Sequence, residues 1–147
     1  MRHTPVFARA AAAALFLLGA CATHDAAPPA PTLYQRLGGL GAITAVVDDA
    51  VGRIADDPRI NRRFDSGGIP HLKARLVELL CLRSGGPCVY TGRDMASAHE
   101  GMNIRDDEFD ALAQDVGASL DAFKVPPRER AELMQIFGQM RNAVVGH

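Results

Sequence analysis

The most constraining feature of this chain is a helical spacing of apolar residues, which recurs from residue 32 onward between short glycine- and proline-containing breaks. Apolar residues at steps of three and four line one face of an α-helix, and no stretch alternates for long enough to predict a β-strand. Proline and glycine end helices, and the breaks "DDP", "SGGP" and "VPP" separate the periodic stretches. The sequence therefore predicts an all-α domain with four helices of three or more turns.

A short helix is predicted before these four. Thr32 can cap its first turn, and Gly38 and Gly39 can end it after Leu37. With the short helix counted as the first, Asp106 is the predicted start of the fourth. The apolar faces of the longer helices are predicted to hold Ile43, Val46, Val47, Ala50, Val51 and Ile54; Leu72, Leu76, Leu79 and Leu80; Phe109, Leu112, Ala113, Val116, Leu120 and Phe123; and Leu133, Ile136, Phe137, Met140 and Val144.

Composition and charge exclude some classes of protein. With 48% hydrophobic and 22% charged residues, the chain has the profile of one ordinary globular domain. Its formal net charge is -1, and its lysines and arginines are scattered. The basic surface of a nucleic-acid-binding protein is therefore not expected.

The N-terminal region is predicted to be a targeting segment followed by a tether. Residues 1–20 contain two arginines, a short apolar run and a small-residue end, which is the layout of a secretory signal. The "LGAC" that ends at Cys21 resembles a bacterial lipobox, which implies lipidation of that cysteine. Residues 21–31 are rich in Pro and Ala and indicate a tether, which leaves 32–147 as the domain. We expect an extracytoplasmic, lipid-anchored protein, and Ala22 favours the outer membrane.

A glycine-punctuated segment, Tyr90 to Ile104, contains a histidine with three possible roles. On a helix, Met95, His99 and Met102 would share one face. The spacing alone is compatible with a core histidine held by a hydrogen bond, with an axial ligand of haem iron, or with a copper site of thioether and imidazole ligands. A closed zinc site and a hydrolytic triad are disfavoured, because the required clusters are absent from the sequence.

Several motifs together resemble one known family, the group I truncated haemoglobins. They are "LYQRLGG", "AITAVVDD", "DDPRI" followed by Phe64, "GGPCVYTGRDM", "AHEGMNI" and "DEFDAL", and the likeness extends from about Leu33 to Val144. The resemblance implies a two-over-two helical sandwich around haem b, with O2, CO or NO as the ligand. It also allows nitric-oxide dioxygenation or peroxide chemistry, so whether the protein is an enzyme stays open, and no redox partner is indicated.

The resemblance assigns expected roles residue by residue. His99 matches the proximal histidine that binds iron, and Phe64 matches a phenylalanine that packs on the haem face. Leu72, Leu76, Leu79 and Leu80 match distal-helix positions that face haem or gas. The nearest candidates for contact with the haem propionates are Arg75, Tyr90 and Arg93, and the remaining expected pocket residues are Met95, Ile104, Phe109 and Phe137.

The distal side departs from the family pattern. Many members carry a tyrosine and a glutamine where this chain has Val51 and Leu76, so an apolar distal pocket of Val51, Leu72 and Leu76 is expected. A hydrogen bond to bound gas contributes about 1–3 kcal/mol, and each 1.4 kcal/mol is tenfold in affinity. We therefore expect oxygen to be held about ten- to a hundredfold less tightly than in a tyrosine-bearing relative. His71, about 100° around the helix from Leu72, is expected to face solvent.

Cys81 and Cys88 are the cysteines that remain once Cys21 is assigned to lipid. They are seven residues apart across a Gly-Gly-Pro turn, which is compatible with a disulfide in an oxidising compartment. The alternative is a buried Cys81 and a loop thiol at Cys88.

Two rival functions fit the same sequence. A copper-binding lipoprotein would use Met95, His99 and Met102 and would contain no porphyrin. An all-α structural lipoprotein would bind neither metal nor haem.

Overall fold

The computed structural model of the chain describes residues 28–64 and 67–147. The predicted signal sequence, the lipidation site Cys21 and most of the tether lie outside these residues. Among the residues that are described, no helix combines the length and apolar character needed to cross a membrane.

The described part of the chain is helical, which confirms the predicted all-α class. Its only β-type pairing is an isolated bridge between Ile104 and Val145. Short 3-10 turns occur at Asn61–Arg63 and Arg141–Ala143. The helices are α1 (Leu33–Arg36), α2 (Gly39–Asp56), α3 (Ile69–Arg83), α4 (Met95–His99), α5 (Asp106–Ala122) and α6 (Pro127–Gly138).

Local signals at the helix ends act as the sequence predicts. The Thr32 hydroxyl accepts a hydrogen bond from the backbone N–H of Gln35, and the Gln35 side chain accepts one from the backbone N–H of Thr32. This reciprocal capping satisfies two donors at the start of α1. Gly38 and Gly39 have φ values of 95° and 78°, a left-handed conformation that lets the chain turn from α1 into α2.

The four long helices pack in pairs, α2 against α3 and α5 against α6, and α2 also crosses α5. Ile43, Val47 and Val51 of α2 form one buried cluster with Cys81 of α3. A second cluster joins α1, α5 and α6, through Leu33, Leu120 and Leu133. These clusters leave a space between the pairs.

Two predicted features of the helices are wrong in detail. The last helix ends at Gly138, so Met140 and Val144 lie beside the following 3-10 turn, although both are buried there. Glycine weakens a helix, and 3-10 turns commonly follow helix C-termini. Phe123 is 46% exposed rather than buried, because it stands at the C-terminal cap of α5, where the chain leaves the bundle.

Candidate functional site

A cavity of about 300 Å³ lies between the helix pairs and contacts α2, α3, α5 and α6. Its walls are almost entirely aliphatic and aromatic, with His99, Arg36 and Lys124 as the lining residues that carry a basic side chain. The volume is at the lower end of the range of about 300–1,000 Å³ that is typical of ligand and cofactor sites.

The two cations that line the cavity lie close to the start of α6. Lys124 is three residues before Pro127, the first residue of α6, and the Nε of Arg36 donates to Glu129 in the first turn of that helix at 2.8 Å.

His99 is the last residue of α4, a helix of five residues. The helix is capped by Asp94, whose Oδ1 accepts a hydrogen bond from the backbone N–H of Ser97 at 3.0 Å. The Nδ1 atom of His99 is 2.7 Å from the carbonyl oxygen of Met95. A carbonyl only accepts hydrogen bonds, so Nδ1 carries a proton, and in the neutral ring the lone pair is on Nε2. The ring is thereby fixed in the tautomer that binds a metal through Nε2.

The chain turns sharply after His99, which corrects one prediction. Gly101 and Asn103 have φ values of 77° and 48°, in the left-handed region. Met102 is therefore outside α4, and it does not continue the helical face of Met95 and His99. The shared face on which the copper alternative depended does not form.

The structure brings half of the predicted cofactor-contacting residues to the cavity that contains His99. They are Phe64, Leu72, Leu76, Leu79, Leu80 and Phe137. Tyr90 and Met95 lie instead on a neighbouring cavity of about 400 Å³, which shares Leu79 and Met140 with the first. These two residues therefore line the adjacent cavity and not the one that contains His99.

The remaining predicted residues do not line the main cavity. Val51 is 2% exposed and packs in the cluster between α2 and α3, so it lies behind the cavity wall and not on it. Ile104 and Phe109 pack with Phe137 in a separate cluster. Arg93 is exposed, and its Nη2 is 3.5 Å from the carbonyl oxygen of Ala98.

Arg75 lies beside Leu76 on α3, the helix that corresponds to the predicted distal helix, and one of its guanidinium nitrogens has no hydrogen-bond partner. Its Nη2 forms an ion pair with Glu78 at 2.9 Å, whereas its Nε is buried without a hydrogen-bond partner. The backbone N–H of Thr91 donates to Glu78 at 2.9 Å and, with the Thr91 hydroxyl and Arg75, keeps the pKa of that carboxyl below its usual value. Glu78 therefore stays ionised and holds Arg75 at the edge of α3.

Sequence reasoning missed several lining residues. Most of them belong to the apolar faces that the sequence predicted for α2 and α5. An apolar spacing, however, does not show whether a helix face packs against a neighbouring helix or lines a cavity. They are Ile43, Val46, Val47, Ala50, Ile54, Leu112, Val116 and Met140.

Cys81 and Cys88 are joined by a disulfide, with their Cα atoms 5.7 Å apart. Cys81 is fully buried in the cluster between α2 and α3. The bond therefore ties the C-terminal end of α3 to the loop that leads toward α4.

The site has the chemistry that haem requires. A porphyrin needs an apolar slot with one imidazole nitrogen free for iron, and its propionates need nearby cations. The cavity supplies the aliphatic walls, the imidazole of His99 and two lining cations, Arg36 and Lys124. These residues fit the group.

Comparison with known proteins leads to the same class. The family model described as "Bacterial-like globin" matches residues 32–146. A group 1 truncated hemoglobin of Tetrahymena thermophila is 29% identical over 116 residues, which cover 79% of this chain and 96% of the relative. A group 1 truncated hemoglobin of a Synechocystis species is 33% identical over 111 residues, covering 73% and 90%.

Solved structures agree in fold. The truncated hemoglobin of Tetrahymena pyriformis in its Fe(III) form has a TM-score of 0.76 at 28% identity, with 80% of this chain and all of that chain covered. The 2/2 hemoglobin of a Synechococcus species, in the cyanomet state and with covalently attached heme, has a TM-score of 0.74 at 29% identity and the same coverage. The chain therefore belongs to the bacterial-like globin family. Within it, the fold is the two-over-two fold of the truncated haemoglobins.

Proposed function

We propose that this protein is a haem b globin that reversibly binds a diatomic gas, with His99 as the iron ligand. The observation that carries the proposal is the hydrogen bond from Nδ1 of His99 to the Met95 carbonyl, which leaves Nε2 as the lone-pair atom beside an apolar cavity. Haem, when bound, supplies the iron centre to which O2, CO or NO attaches.

The other side chains of the cavity bind and enclose the cofactor. Phe64 offers an aromatic face, and the leucines of α3 exclude water from the slot. The candidates to bind the propionates are Arg36 and Lys124, which line the cavity, and Arg75, which lies beside the lining residue Leu76 and has an Nε without an acceptor. Tyr90 donates its hydroxyl proton to the backbone carbonyl of Arg93 at 2.8 Å, so the Tyr90 hydroxyl is not a free donor.

The distal wall determines how a gas is held. Leu72 and Leu76 line it, and neither can donate a hydrogen bond. A bound gas is then held without the donor that a tyrosine or glutamine would provide, which favours rapid release of oxygen.

An extracytoplasmic, lipid-anchored location is part of the proposal. It is supported by the lipobox-like sequence before Cys21 and by the Cys81–Cys88 disulfide, because disulfides persist in oxidising compartments. The anchor and the gas site are separate features, and either can be tested without the other.

The central test is an absorption spectrum of the purified protein with haem, with and without CO. We expect an intense band near 400 nm that shifts with CO in the wild type and is lost in His99→Ala. His71→Ala is the matched control, since His71 is an exposed imidazole on the distal helix and its loss should leave the band unchanged. A band that survives in His99→Ala with the wild-type position and CO shift would contradict the proposal.

A further inference from the structure

A buried carboxylate lies in the first turn of α5, close to the segment that follows His99. The Glu108 side chain is 3% exposed. It accepts hydrogen bonds from Nη2 of Arg62 at 2.8 Å, from Nε and Nη2 of Arg63 at 3.0 and 2.8 Å, and from the backbone N–H of Arg105 at 3.0 Å. These donors, Arg63 first among them, lower the pKa of Glu108 to about 2.

Of the two arginines whose side chains donate hydrogen bonds to Glu108, Arg63 also donates to the segment that follows His99. Its Nη1 donates to the carbonyl oxygen of Met102 at 2.7 Å, while the same guanidinium holds Glu108 with its other two nitrogens. The backbone N–H of Met102 in turn donates to the carbonyl oxygen of His99 at 3.0 Å. A short chain of hydrogen bonds therefore joins Glu108 to the backbone of His99.

The segment after His99 needs such an external support. α4 is only five residues long, and Gly101 and Asn103 are left-handed, so the chain leaves the histidine without a continuing helix. A helix this short is not stable by itself. The orientation of the imidazole therefore depends on contacts from other parts of the fold.

Arg63 also lies next to Phe64, which lines the same cavity as His99. Its side chain is 24% exposed, so its guanidinium is largely enclosed between the 3-10 turn, the segment after His99 and α5. Arg63 thus joins two segments, the backbone next to Phe64 and the backbone after His99, to the carboxylate of Glu108.

We propose that Arg63 is a positioning residue for His99, holding the Met102 carbonyl so that the imidazole keeps one height and tilt at the cavity wall. The inference rests on the proposed function, since the orientation matters for an iron ligand. Residues that orient a metal ligand commonly change metal affinity about 10- to 100-fold when they are replaced.

The test compares Arg63→Gln with Arg62→Gln. Both variants remove one positive charge and one arginine partner of Glu108, but only Arg63 contacts Met102. In the haem-free protein, hydrogen exchange of the Met102 amide should become about tenfold faster in Arg63→Gln and stay near wild type in Arg62→Gln. In the haem-loaded ferrous protein, Arg63→Gln should shift the iron–histidine stretching band and release haem about tenfold faster.

The outcomes separate the two proposals. If the wild type binds haem and both variants change exchange and the stretching band equally, Arg63 has only a general structural role and the inference fails. If the wild type takes up no haem, the proposed function fails, and the exchange comparison alone decides whether Arg63 holds this segment. Should Arg63→Gln not fold, Arg63→Lys and Arg62→Lys provide the same comparison with the charges retained.

Discussion

The two sides of the cavity are held in place by different interactions. On the proximal side, α4 and residues 100–104 depend on hydrogen bonds and on the ionised Glu108. On the distal side, α2 and α3 depend on a buried apolar cluster and on the Cys81–Cys88 disulfide. The proximal side should therefore be sensitive to acid, and the distal side to reductant.

The largest expected effect is on the proximal side. Glu108→Gln removes a buried carboxylate from its arginine partners, and breaking a buried ion pair in this way costs about 3 kcal/mol of unfolding free energy. The lowered pKa means that the contribution is complete above about pH 4.5 and is lost as the pH falls toward about 2. Urea unfolding at several pH values measures it, and the difference between wild type and variant should shrink over that range.

Asp107→Asn is the control for this experiment. Asp107 is in the same helical turn and pairs with Arg105, but its side chain is 71% exposed. An exposed pair contributes less than about 1 kcal/mol. If both variants lose the same free energy of unfolding at neutral pH, the burial of Glu108 makes no extra contribution to stability.

The next largest effect is on the distal side. Replacing both Cys81 and Cys88 by Ala opens a loop of sequence separation 7, for which loop entropy predicts a loss of about 2.5 kcal/mol. Reductant should destabilise the wild type by a similar amount and leave the double variant unchanged. The exchange rate of the Met102 amide should not respond to reductant. Two thiols that react with an alkylating agent before reduction would refute the bridge.

The smallest effect concerns the gas. Leu76→Gln places a hydrogen-bond donor on the distal wall, and one such bond at about 1.4 kcal/mol should slow oxygen dissociation about tenfold. Leu76→Met keeps the volume without adding a donor and should release oxygen at nearly the wild-type rate. Stopped-flow dissociation measures both. A slow wild-type rate that neither variant changes would show that another residue controls release.

The sequence predicted the local features of the fold well. The helix cap at Thr32 and the turn at Gly38 and Gly39 depend only on residues close by in the chain, so the sequence predicts them. The predicted helix start at Asp106 is the observed start of α5. His99 was a candidate from spacing alone, and the linked motifs favoured it as an iron ligand.

The features that the sequence did not reveal depend on tertiary contacts. Val51 and Leu76 share the predicted apolar surfaces, yet one is packed in the core and the other borders the cavity. Arg63 and Glu108 are 45 residues apart in the chain, and no periodicity relates them. Met102 was misplaced because the helical spacing continues through Gly101, where the backbone does not.

The apolar cavity also links the amount of folded protein to the amount of cofactor. A ligand that binds only the folded chain raises the folded population by mass action, by about 4 kcal/mol at a thousand times its dissociation constant. Walls made of leucine, valine and phenylalanine gain most from being filled. In a compartment poor in haem, more of this chain would unfold and be degraded, so the supply of cofactor would govern its abundance as well as its activity.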